Sequence, residues 1–81
     1  SSESSVTYDN DHKVTVSAPV GAALYVNGTY KGEVPCSFTK MIGNVTLSLT
    51  KDGYETKTYA VEISDDSKDI SWSFPDLTKN S

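Results

Sequence analysis

With 81 residues, 11 acidic side chains against 7 basic ones and a formal net charge of −4, the chain has room for one modest core and none for a deep substrate cleft. All the basic residues are lysines scattered along the chain, which argues against nucleic acid as a partner, since that binding rests on clustered basic residues and favours arginine. The longest stretch of low polarity, Ala18 to Val26, is broken by Pro19 and Gly21 and falls short of the roughly 20 residues a membrane helix needs, so no direct membrane insertion by this segment is expected; a lone Cys36 leaves no internal disulfide.

In chain order, Ser1-Ser2-Glu3-Ser4-Ser5 comes first, small and polar, a composition that cannot bury enough apolar area to offset its ordering entropy. The only methionine is Met41, and the chain is expected to be a piece of a longer protein, with residues 1–6 and 78–81 as linker ends and a folded unit over 7–77. Strand-type alternation begins with Val14 and Val16 against Lys13, Thr15 and Ser17, one face buried and one wet. Pro19, Val20 and Gly21 turn the chain into Ala23-Leu24-Tyr25-Val26. Asn27-Gly28 then joins this run to Thr29-Tyr30-Lys31, because that dipeptide tolerates the positive φ at both central positions of a type I′ hairpin turn. Gly32 to Pro35 is a further turn. Gly43-Asn44 precedes Val45, Leu47 and Leu49, which alternate with Thr46, Ser48 and Thr50, and Asp52-Gly53 precedes Tyr59, Val61 and Ile63. Asp65-Asp66-Ser67 is the last turn before Ile70, Trp72 and Phe74. Strands are predicted at 13–17, 23–26, 29–31, 36–40, 44–51, 54–63 and 69–74, and no segment carries a convincing 3.6-residue period.

Short strands punctuated at regular intervals predict an all-β chain, a small antiparallel β-sandwich of about seven strands whose apolar faces meet in one core. Several of the punctuating motifs also carry a resemblance. Pro19-Val20-Gly21-Ala22 is similar to the Pro-Glu-Gly-Ala signature of the PEGA domain family. The strand running into Asn27-Gly28, the Gly32-Glu33-Val34-Pro35 segment, Gly43 and the Lys51-Asp52-Gly53-Tyr54 turn follow in the family's order. The likeness spans roughly residues 13 to 74, with two departures: Val20 stands in place of the signature glutamate and Val34 in place of the usual threonine before Pro35. Both positions read as turn-flanking surface or semi-buried sites. The resemblance implies a transthyretin-like or carboxypeptidase regulatory-like sandwich in an extracytoplasmic setting, at the surface or in the envelope of a bacterial or archaeal cell. The parent is then expected to be anchored, as a lipoprotein or otherwise. It implies no enzymatic activity and gives no residue a catalytic role.

The residues themselves point the same way. His12 in Asp9-Asn10-Asp11-His12 offers oxygens and a nitrogen, but consecutive residues on an extended segment point alternately apart, so the run reads as a solvated loop. Asp65 to Asp69 begins like a calcium loop yet has Ile70 where the glycine belongs and Asp76 where the glutamate belongs; it reads as an Asx-type turn. Cys36 lacks a base and reads as a small packed residue. Lys13, Asn44 and Glu62 have the types needed for a lysine–asparagine crosslink, with nothing in the sequence to bring them together. No cofactor or metal is called for.

Tyr25 and Tyr30 are the better candidates. A two-residue loop sets them opposite each other on one sheet face, and if Ala22, Leu24 and Val26 face the core, the rings lie outside. Pro19, Gly21, Asn27, Gly28, Gly32, Pro35, Gly43, Gly53 and Tyr54 are read as structural turn residues and Trp72 as core. The expected function is a non-catalytic extracytoplasmic spacer or protein-interaction module, whose partners are neighbouring domains of its parent or another envelope protein. The alternative is a cell-wall glycan or peptidoglycan binder using the tyrosine face.

Overall fold

The computed structural model describes residues 7–80, so the assignment of 1–6 as a linker and the state of Ser81 lie outside the described residues. The described residues form six strands and no helix: β1 (Thr7–Val16), β2 (Ala23–Val26), β3 (Thr29–Glu33), β4 (Cys36–Thr50), β5 (Lys57–Ile63) and β6 (Ile70–Trp72). The count is six rather than about seven because the predicted strands at 36–40 and 44–51 are one element, β4. The six strands form one sheet in the order β3-β2-β4-β1-β6, with β5 also paired to β4.

β4 is the organising strand. Fully extended, 15 residues would span about 50 Å, more than the molecule's longest dimension of 40 Å, so the strand has to bend. It does so where its partners change. Residues up to Ile42 pair with β1, and from Gly43 onward they pair with β5 and β2. Gly43 has φ +111°, open to glycine and strained for other residues. The buried phase changes just before it, between the adjacent buried residues Lys40 and Met41: Phe38 and Lys40 are buried on one phase, and Met41, Val45, Leu47 and Leu49 on the other. One strand thereby contributes to two wings, β6-β1-β4 and β3-β2-β4-β5.

The wings share a single apolar cluster. Val14, Val16 and Phe38 from the first meet Leu24, Val26, Leu47 and Leu49 from the second, and burying each such side chain stabilises the fold by about 1.5–3 kcal/mol. Trp72, expected in the core, is half-buried and packs against the cluster. All strand pairs are antiparallel except β1 with β6, where Val14, Thr15 and Val16 run parallel to Ile70, Ser71 and Trp72. A parallel neighbour cannot be joined by a tight hairpin; β2 to β5 intervene between β1 and β6, and residues 64–69 carry the chain from the end of β5 back to the β1 edge.

β1 begins at Thr7, six residues before its expected start. Its register slips between Asp9, opposite Lys40, and Lys13, opposite Thr39, leaving Asn10, Asp11 and His12 as an inserted bulge. Asp9, Asn10 and Asp11 have little strand propensity of their own; pairing with β4 places the run Thr7 to His12 in the sheet. Similarly, Thr78 and Asn80 exchange backbone hydrogen bonds with Glu55 and Gly53, and Lys79 bridges to Tyr54.

Candidate functional site

The β2–β3 hairpin builds the most exposed aromatic feature. Asn27 at φ +53° and Gly28 at φ +85° give the expected turn conformation. Asn27 also ties the turn to β4: its side-chain oxygen accepts a 3.0 Å hydrogen bond from the Thr46 N–H, and its own N–H donates to the Thr46 carbonyl at 2.8 Å. With the hairpin fixed, Tyr25 faces Tyr30 directly. Ala22, Leu24 and Val26 are buried, so both rings stand on the opposite, outer face. Their centroids are 5.4 Å apart with planes tilted by 53°, within the favoured range for an aromatic pair. Tyr30 is 57% exposed and Tyr25 is half-buried. The row continues across the sheet through Ser48 and Thr58, so the outer face presents two phenols followed by two hydroxyls with no charged side chain between them.

A second concavity lies where the signature turn meets the 51–54 turn. Pro19, Val20, Lys51, Tyr54, Asp76 and Leu77 line a cavity of about 260 Å³. Gly21 at φ +93° would place a Cβ 3.4 Å from Lys51 Cε and Nζ, so a glycine there lets the lysine lie along the turn. The Lys51 ammonium sits 4.9 Å from the centre of the Tyr54 ring, a cation–π contact that locks the turn together with the Tyr54 N–H to Lys51 carbonyl bond. Val20, at the glutamate position of the signature, is 65% exposed at the rim of this cavity. Val34 is different. Its place beside the turn predicts a surface or semi-buried site, but it is 1% exposed, because its N–H donates to the Ala22 carbonyl and its carbonyl accepts from the Gly21 N–H, which draws the side chain under the turn.

Gly32 has φ +139°, and a Cβ added there would meet Cys36, 3.7 Å from the Cβ of that residue. Cys36 is half-buried at the start of β4, where burial pushes its thiol above the ordinary 9.0 and makes it a poor nucleophile at neutral pH. His12 and Asp9 do meet: the imidazole Nδ1 lies 2.9 Å from Asp9 Oδ2, and Asp9 Oδ1 accepts from the Asp11 N–H at 3.1 Å. Burial alone would raise the Asp9 carboxyl, but the His12 and Asp11 hydrogen bonds and the charges of His12 and Lys40 together hold it below 3.8. Among the described residues no group of three or more histidine, cysteine, aspartate or glutamate side chains converges as a metal site. Asn44 and Glu62 are cross-strand partners, whereas Lys13 stands on β1 in the other wing.

The residue that sequence reasoning passed over is Lys40. It is fully buried, and its ammonium donates to Asp66 Oδ1 at 2.5 Å and to the Lys68 carbonyl at 2.7 Å. Asp66 Oδ1 also accepts from the Lys68 N–H at 3.2 Å, the Asx-type turn expected for this segment, and Asp69 Oδ1 accepts from the Lys13 N–H at 3.0 Å, so the segment is pinned to β4 and β1 by its own carboxylates. The signal was present: Lys40 sits two residues after Phe38, at an inward position of the alternation.

These features define a class: an all-β module, without helix among the described residues, whose conspicuous side chains serve turns and one aromatic face. Within that class the chain belongs to the PEGA domain family, whose profile matches residues 11–74. Members of the family are in general non-catalytic, extracellular or periplasmic modules. No match to the chain was found among curated proteins or among solved structures. Among the described residues no helix is long and apolar enough to cross a membrane.

Proposed function

We propose that the protein is a non-catalytic extracytoplasmic module that spaces and docks neighbouring domains of its parent, or another envelope protein, through the outer face of the β3-β2-β4-β5 wing. The observation that supports this most is the Tyr25–Tyr30 pair, with Tyr30 57% exposed. A phenol offers a large apolar surface with a hydrogen-bonding tip, the combination enriched at protein interfaces. No cofactor enters this reading. The tilt of 53° between the rings does not make a flat platform for two sugar rings, whereas it suits the uneven surface of a protein partner.

The Ser48 and Thr58 hydroxyls beside the tyrosines favour the second reading, a cell-wall glycan or peptidoglycan site on the same face. Two measurements separate them. Amide chemical shifts of the 81-residue chain are followed during titration with soluble peptidoglycan fragments, for the natural sequence and for a Tyr25→Ala, Tyr30→Ala double variant. Tyrosine accessibility to a soluble paramagnetic probe is then compared between the isolated chain and its longer parent. Flat spectra and tyrosines protected in the parent support docking. Saturable shifts over residues 24–31 that vanish in the double variant replace it with glycan binding, and rings equally accessible in both proteins without glycan shifts overturn both.

A further inference from the structure

The strand order ends at β3 and β6, and β5 forms a third edge on β4. Unpaired edges invite another strand, and natural sheets blunt them with short strands, bulges and charges. Two of these three are blunted in that way. β6 has three residues. β3 has five, with Gly32 in the positive-φ region, a register shift opposite Leu24 and Tyr25, and Lys31 and Glu33 on its short length. β5 is not blunted. Its seven residues pair with β4 without a register shift, it contains no glycine or proline, and its charges stand near the two ends, at Lys57 and Glu62.

The inner face of β5 also lacks cover. Leu47 and Val45 on β4 are buried, but their ladder partners Tyr59 and Val61 are only half-buried, although Phe74 stacks on Tyr59 at 4.5 Å. We propose that β5 is a docking edge for a second copy of this chain, the two β5 strands pairing antiparallel about a two-fold axis at Ala60. Opposed residues in a ladder must share a face. With Ala60 against itself, Tyr59 lies against Val61, Thr58 against Glu62 and Lys57 against Ile63. Aromatic against β-branched is a favourable cross-strand pair, no like charges oppose, and Tyr59 and Val61 of both copies extend one apolar strip across the axis. The contact is isologous and closes on itself as a dimer, by strand addition. It is independent of the tyrosine face, whose variants leave Ala60 unchanged.

Ala60 is exposed on the outer face, so charged residues fit there in the monomer, and like charges placed directly opposite across the axis oppose pairing. Sedimentation equilibrium of the 81-residue chain up to millimolar concentration should show a dimer, with concentration-dependent amide shifts over residues 57–63. Ala60→Lys and Ala60→Glu, each with a dispersed, folded spectrum, should sediment as monomers, and their equimolar mixture should dimerise again. A natural chain that stays monomeric, a dimer that survives Ala60→Lys, or a mixture that stays monomeric overturns the proposal; the second places the association on another surface, and the third takes Ala60 off the two-fold axis.

Discussion

At the scale of single residues, Lys40 and Asp66 make an asymmetric pair: the lysine side chain is fully buried and the aspartate side chain is 50% exposed. Removing either partner therefore has different consequences. Lys40→Met replaces a buried charge with an apolar chain of similar length and releases a carboxylate that water can solvate. Asp66→Ala leaves a buried ammonium with only the Lys68 carbonyl, the costlier outcome. Urea midpoints should fall more for Asp66→Ala than for Lys40→Met; the reverse order would mean that the ion pair does not hold the 64–69 segment down. A pH series tests the same contact. The Asp66 carboxyl is held below the ordinary 3.8, chiefly by the Lys40 hydrogen bond. A group lowered in the folded state contributes stability above its unfolded pKa and loses it as pH falls through the folded one. Unfolding free energy should therefore decline from about pH 5 downward, less steeply in Lys40→Met. Some decline should persist in that variant, because the Asp9 carboxyl is also lowered.

The strands themselves show what was legible in the sequence and what was not. β2, β3 and their turn stand where the local chemistry put them, because Asn27-Gly28 needs no distant partner to adopt its conformation, and the outward placement of Tyr25 and Tyr30 follows from period two alone. Gly43 interrupts the alternation and so predicts two strands; in the structure the glycine bends one continuous strand, β4. The first half of β1 was missed because Thr7 to His12 carries no apolar phase and is placed by Lys40 to Ile42 across the ladder. The parallel β1–β6 pairing leaves no local mark at all, since the two segments are more than fifty residues apart and the pairing depends on where β2 to β5 bring the chain. Lys40 was overlooked because its partners sit on a loop brought in from the other wing. The bend can be probed directly. Gly43→Ala puts a side chain at φ +111° and should cost about 1–3 kcal/mol in urea unfolding. A loss well under 1 kcal/mol would mean that β4 relaxes its bend elsewhere.

For the molecule as a whole, the shared core predicts that the two wings unfold together. Leu47 is 0% exposed and stands in the wing formed by β2, β4 and β5, while Trp72 belongs to the β1–β6 side. Leu47→Ala should lower stability by about 2–5 kcal/mol, with Trp72 fluorescence and far-ultraviolet circular dichroism still changing at one common denaturant concentration. Separate midpoints for the two signals would show the wings to be independent units. The parallel alignment of β1 with β6 has a mechanical corollary. Tension applied between residue 7 and residue 80 draws the first and last strands along their own axes in opposite directions. Once the tail contacts at Gly53 to Glu55 release, the backbone bonds from Val14–Val16 to Ile70–Trp72 are loaded in shear, all at once. Tension applied across the hairpin at Asn27 would instead open its bonds one after another. A tether attached at the two ends should therefore hold to higher force than one attached at the hairpin, giving a module that resists stretch along the line of its chain.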